Sequence, residues 1–203
     1  MKLFRVKLIT KGFLHFYSTE YLKTTTVFSV LHNWALMFAI NDIKSDPNKK
    51  HLENLKGANF YATPALPLVV DKRSHIKNPV PEDTGAGKMG IMLVEYFLPN
   101  SEFEFYLLSR DESEPPDMIS YGKKRTKCKL SIESIGDFRT IRSESLKLRP
   151  IHPVNPLDYE SIENISFAKK IPMLPSPLYY CEGKFRNVIV VPRLKAVIPD
   201  LEA

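Results

Sequence analysis

Residues Lys2-Leu3-Phe4-Arg5-Val6-Lys7-Leu8-Ile9-Thr10 alternate from end to end. Phe4, Val6 and Leu8 fall on one side; Leu3, Arg5, Lys7 and Ile9 fall on the other. Such a period of two specifies a strand with one packed face and one partly basic face. The next periodic segment has a different spacing. Val27, Val30, Leu31, Trp34, Ala35, Phe38 and Ala39 recur at helical period, which predicts a helix over residues 26–41 capped by Thr25 or Thr26. Asn33, Leu36, Met37 and Ile40 form a second stripe on its far side, so that side should also be covered. The first stripe is expected on the sheet, the second under an insertion or a partner.

Beyond the helix, residues 44–88 show no period and carry five prolines and three glycines. A segment this long without regular pattern suggests an inserted arm. Residues 89–98 and 102–109 read as a hairpin turned by Pro99-Asn100-Ser101, and residues 119–121 and 128–135 as two further strands. From Pro150 the chain holds half of its 16 prolines and reads as extended pieces with one strand at 187–191. One helix among at least five strands gives an α+β class. A strand, a crossover helix and returning strands suit a ferredoxin-like or RRM-like core whose second helix is not visible. The chain reads as one domain over 1–203, with 44–88 as an inserted arm and 150–203 as a proline-rich β/extended extension.

The 203 residues are 43% apolar and 26% charged, which excludes wholesale disorder, collagen and a disulfide scaffold. Cys128 and Cys181 stand far apart, so no zinc-finger pair exists. No apolar run approaches the ~18 residues of a membrane span. Arg5, Lys7 and Lys11 interrupt any signal-peptide core, and a cytoplasmic location is expected.

Net charge is +6 and uneven. Residues 121–149 hold nine Lys or Arg against Glu133, Asp137 and Glu144, which accounts for all of it. A basic patch on a neutral body suggests a polyanion, most often nucleic acid. Its centre is Gly122-Lys123-Lys124-Arg125-Thr126-Lys127-Cys128-Lys129. There glycine permits close approach, the cations meet phosphates, and Arg can stack on bases. A merely solvated basic turn is the competing reading. Gly85-Ala86-Gly87-Lys88-Met89-Gly90 matches G-x-G-x-x-G but lacks the strand before and helix after it, so it reads as a hinge. The five histidines form no metal-binding spacing, and neither a cofactor nor a metal is expected. A metal-independent ribonuclease needs only a base and a nearby cation, for which His15, His32, Tyr61 and Lys124 are the candidates. His32 and Asn33 lie off the main helix stripe and suit a hydrogen-bonded tie or a contact to phosphate or 2′-OH.

Three segments then converge on a known family. Val30-Leu31-His32-Asn33-Trp34-Ala35-Leu36-Met37-Phe38-Ala39-Ile40 resembles its first-helix motif I-H-N-Y-A-L-x-Y-A. Asn59-Phe60-Tyr61-Ala62-Thr63-Pro64-Ala65-Leu66-Pro67 resembles its Y-x-T-P-A-x-P segment, and Ile119–Lys127 its glycine–lysine loop. The family is the type I-D CRISPR subunit Csc-one, a divergent Cas-five member of the RAMP superfamily. The resemblance covers roughly residues 1–135; Trp34 and Phe38 stand where the family often has Tyr. It implies a modified ferredoxin-like RAMP core and a non-catalytic subunit of a Cascade surveillance complex in antiviral defence. Such a subunit caps the crRNA 5′ handle and contacts the large subunit and a Cas-seven-like backbone subunit. Target DNA near the protospacer-adjacent motif is a further expected partner. The RNA-binding candidates are Arg5, Lys7, His32, Asn33, Tyr61, Gly122, Lys123, Lys124, Arg125, Lys127 and Lys129. The alternatives are a metal-independent crRNA-processing endoribonuclease of the same superfamily and a generic basic β-rich interaction protein.

Overall fold

The computed structural model describes residues 1–16, 19–21, 24–77, 92–142, 145–159 and 162–199. The elements run β1 (Lys2–Thr10), β2 (Thr19–Tyr21), β3 (Thr24–Thr26), α1 (Asn33–Ile40), α2 (His51–Asn54), β4 (Phe60–Ala62), β5 (Leu66–Val69), β6 (Lys72–Lys77), β7 (Met92–Phe97) and β8 (Glu102–Ser109). They continue with β9 (Met118–Tyr121), β10 (Thr126–Ile135), β11 (Arg139–Ile141), β12 (Leu146–Leu148), β13 (Ile162–Ile171), β14 (Leu178–Phe185), β15 (Val188–Val191) and β16 (Ala196–Pro199). The protein is mostly β, with few helices.

The alternating first strand is the centre of the main sheet. Its order is β4-β8-β1-β10-β9, with β5 also paired to β8, and every pairing is antiparallel. Phe4, Val6 and Leu8 meet Leu107, Phe105 and Phe103 on one side and Ser134, Ile132 and Leu130 on the other. β1 and β4 run parallel with β8 between them, and α1 connects them. The helix touches both β4 and β9, the two ends of that strand order. Five flat strands would span about 19 Å, whereas eight helical residues measure about 12 Å. The sheet therefore curls around the helix as a half-barrel.

The predicted helix over 26–41 is shorter, and its two stripes exchange roles. Thr24–Thr26 form β3, as β-branched residues favour. Leu31 exchanges both backbone hydrogen bonds with Ala65, at 3.0 Å each. Those pairings use the backbone that a longer helix would need. Leu36, Met37 and Ile40 are buried, while Ala35, Phe38 and Ala39 are only half-buried. The second stripe is therefore the core face. At the other end Asn41 closes the helix and holds β4: its amide donates to Met37 O (2.8 Å) and Phe60 O (2.9 Å), and its Oδ1 accepts from Phe60 N–H (2.9 Å).

Three other expectations change. The hairpin of 89–98 with 102–109 does not form: β7 pairs with β6 and β3, while both edges of β8 are taken by β1 and by β4 and β5. The span 44–88 is not wholly an arm, because β4 and β5 belong to the main sheet. The glycine-rich stretch Gly85–Gly90 lies outside the described residues. The tail contains far more strand than 187–191. In β15, Ile189 and Val191 face the main core, together with Ala196 and Ile198 of β16. Val188, Val190 and Val197 face a second core with Cys181 and Phe185 of β14. A strand buried on both faces is continuously apolar, which is why Val188-Ile189-Val190-Val191 lacks alternation.

Candidate nucleic-acid interface

The basic run folds as the turn from β9 into β10. Gly122 sits at φ +77°, and a Cβ there would lie 2.6 Å from the His15 carbonyl oxygen and 2.7 Å from Leu14 Cδ1. The close approach that requires glycine is thus to the chain's own backbone, where Lys123 N–H donates to His15 O at 2.9 Å. Arg125 is also left-handed, at φ 49°, and Thr126 Oγ1 donates to Phe13 O at 2.6 Å. These contacts fix the turn, and Lys123, Lys124 and Arg125 project from it as exposed cations, followed along β10 by Lys127, whose ammonium donates to Ser120 Oγ (3.0 Å), and by exposed Lys129.

Between this turn and α1 lies a cleft of about 970 Å³. Its lining is apolar at Phe16, Phe38, Met118 and Leu174, and charged at four cations, Lys44, Lys123, Arg125 and Lys127, against one acid, Asp42. Met118 and Leu174 are 52% and 64% exposed. Partial burial lowers the pKa of the Lys123 ammonium. A lining of cations and apolar side chains can hold phosphates while bases lie against side chains.

Of the sequence candidates, His32, Gly122, Lys123, Arg125 and Lys127 meet at this cleft. The others do not. Arg5 pairs with Glu104 (2.7 Å) and Glu133 (3.8 Å), and Lys7 with Glu102 (3.3 Å). Both alternate with the residues under α1 and so point to the opposite face. Lys129, opposite Ile9 in the register, shares that face. Lys124 projects from the turn without lining the cleft. Lys44, Phe38 and Met118 were missed: a single lysine after a helix and two apolar residues carry no signal in one sequence.

Asn33 and Tyr61 belong to a buried polar network behind the cleft. Its hub is Asp158, in the 3₁₀ turn Pro156–Asp158. Its carboxylate accepts from Asn33 Nδ2 (2.6 Å), Trp34 Nε1 (2.7 Å) and Tyr61 OH (2.7 Å). Asn155 Nδ2 donates to Asn33 Oδ1 (3.4 Å), and Ser176 Oγ donates to Asn155 Oδ1 (3.3 Å). His32 caps α1 through Nδ1, which accepts from Trp34 N–H at 3.1 Å, so the proton sits on Nε2 and is donated to Ser176 O at 3.0 Å. Burial lowers the His32 pKa to about 4 and keeps the ring neutral. Burial likewise raises the Tyr61 phenol well above its ordinary value, with the nearby Asp158 charge adding to this. Asp158 keeps some surface at a pocket mouth, but its carboxylate turns inward. Desolvation lifts it from 3.8 to about 6, against the opposing effect of its three donors. The network ties α1 and β4 to the proline-rich tail.

The sequence model for type I-D CRISPR-associated protein Cas5/Csc1 matches residues 1–198. The chain belongs to the type I-D Cas5/Csc1 family. No curated protein matches the Cas5/Csc1 chain in sequence. Among solved structures it is similar to a chain of a type III-B Cmr-beta complex, described as bound to cognate target RNA and AMPPnP. That similarity has a TM-score of 0.46 at 10% identity, and covers 90% of this chain and 84% of the other. No described helix is long and apolar enough to cross a membrane.

Proposed function

We propose that this Cas5/Csc1 chain is a non-catalytic subunit of a type I-D CRISPR surveillance complex and seats the crRNA 5′ handle in the cleft between α1 and the β9–β10 turn. The observation that carries the reading is the convergence of Lys44, Lys123, Arg125 and Lys127 on a partly apolar cleft. The sheet supports a modified ferredoxin-like RAMP core, because β1, α1 and β4 form a split β-α-β unit around β8. The strand β9 stands in place of the second helix. The non-catalytic reading is supported by His32 and Tyr61, whose titrating atoms are engaged in the interior network rather than offered to a substrate. In this reading the partners are the large subunit and a Cas-seven-like backbone subunit, with target DNA beside the protospacer-adjacent motif as a further one. The complex acts in cytoplasmic antiviral defence. The β6–β7 ribbon is the remaining candidate for the inserted arm, and the tail is an extension latched through Asp158.

Alanine at Lys123, Arg125 and Lys127 tests the cleft. Retention of repeat-derived RNA should weaken across sequences, and the salt slope should fall by up to ~0.7 per lost phosphate contact. Unchanged affinity with an unchanged slope would return the turn to a solvated basic surface. Metal-independent cleavage of repeat RNA, abolished by His15→Ala, would replace the structural reading with the nuclease.

A further inference from the structure

A separate pocket of about 400 Å³ opens beside α1, between Trp34 and Met37, Leu55 and Ala58, and the Asp158 turn. Leu52 and Leu157 line it and are 41% and 57% exposed, although both are large aliphatic residues. Two cations, Lys56 and Arg110, complete the lining. Arg110 Nε is buried with no hydrogen-bond partner, and neither cation forms an ion pair among the described residues.

The acids that follow Arg110 are already engaged. Glu112 holds the Met1 amine at 2.6 Å, Glu114 holds Lys2 at 2.7 Å, and Asp111 accepts from Asn59 Nδ2 at 2.6 Å. Asp158 has its three donors. The pocket therefore combines an open aliphatic slot with two cations that no described carboxylate holds, beside an Asp158 whose oxygens are turned to its own donors, and one buried donor that lacks an acceptor. An unpaired buried donor is costly, and a carboxylate oxygen would satisfy it strongly. A nucleotide fits less well. Trp34 and Tyr61 are almost wholly buried and spend their polar atoms on Asp158, and half-buried Tyr159 packs edge-on against Phe185 with its hydroxyl donated to Val197 O, so the lining aromatics are engaged with the protein rather than presented for base stacking.

We propose that this pocket docks a partner protein subunit by taking one apolar side chain of that partner while a neighbouring carboxylate binds Arg110 and Lys56. The inference rests on the subunit reading above but uses a surface distinct from the RNA cleft.

The test is reconstitution of the effector complex from its purified subunits and crRNA, with wild-type chain, Leu157→Glu and Arg110→Gln. Leu157 is exposed, so its variant should keep the wild-type thermal midpoint. Each variant should join the complex roughly tenfold or more weakly, as at an interface hot spot, while RNA retention by the free chain stays unchanged. A photo-crosslinking residue at position 157 should capture a peptide with an acid beside an apolar residue. A wild type that assembles beside variants that assemble equally well would overturn this inference alone, as would loss of RNA retention in the variants or a crosslink to RNA. Failure of the wild-type chain to assemble would overturn the subunit reading and this inference with it.

Discussion

Asp158 is the position where one substitution should have the widest effect. It accepts hydrogen bonds from a helix side chain, the indole and a β4 tyrosine, at 2.6–2.7 Å. Asp158→Ala leaves three largely buried donors without an acceptor, each costing about 1–3 kcal/mol. Water entering from the pocket relieves part of this, so about 3–5 kcal/mol is expected near pH 5. Asp158→Asn keeps an acceptor for Trp34 but sets one amide against the Asn33 amide, and should cost less. The two variants also separate the charge from the hydrogen bonds. The folded carboxyl titrates at about 6 against an ordinary 3.8. A raised acid pKa means the folded state holds the proton more tightly. Its contribution is fully present below about pH 4 and lost as pH rises through 6, by up to roughly 3 kcal/mol for two pKa units. Urea unfolding of wild type and Asp158→Asn between pH 4 and 7 measures this directly. The wild type's advantage should be largest near pH 4 and shrink toward pH 7. An advantage that stays constant, or grows with pH, would refute the argument that desolvation outweighs the three donors.

Leu36→Ala should cost ~2–5 kcal/mol in thermal or denaturant unfolding, because the side chain is fully buried in the half-barrel. Phe38→Ala, on the half-open cleft wall, should cost markedly less and instead weaken RNA retention. Gly122→Ala must relieve a 2.6 Å approach to backbone at a left-handed φ, so it should destabilise by ~1–3 kcal/mol and also weaken RNA retention. Normal stability with normal RNA retention in that variant would show that the turn tolerates rearrangement.

What was legible in the sequence depended on whether a pattern is local. The alternation of residues 2–10 identified β1 because one face is uniformly apolar. The helical spacing around Trp34 found α1 but overextended it, since Val27, Val30 and Leu31 are apolar for another reason: they are buried in the non-helical chain ahead of it. The same spacing chose the wrong face, because a helix inside a curled sheet is apolar nearly all round, and composition cannot rank the two sides. The basic turn was visible as a run of charge. Its cleft was not, because Lys44, Phe38 and Leu174 come from segments that only the fold brings together. His32, Asn33 and Tyr61 stood out as polar residues within apolar motifs. Asp158, the partner shared by Asn33 and Tyr61, and Ser176, the partner of His32, both lie far along the chain in a proline-rich stretch without periodicity.

The central position of β1 has a consequence for synthesis. Its partners are β8 and β10, and the nearest paired position, Ile9 with Glu102, is 93 positions away (102 minus 9). At ~5–20 residues per second, the first strand made waits at least several seconds before either neighbour exists. Phe4, Val6 and Leu8 stay without either strand neighbour for that interval, although α1, β4 and β5 are already made. High contact order also slows folding once the chain is complete. Expression yield should therefore respond to elongation rate, growth temperature and chaperone supply more steeply than equilibrium stability alone would suggest.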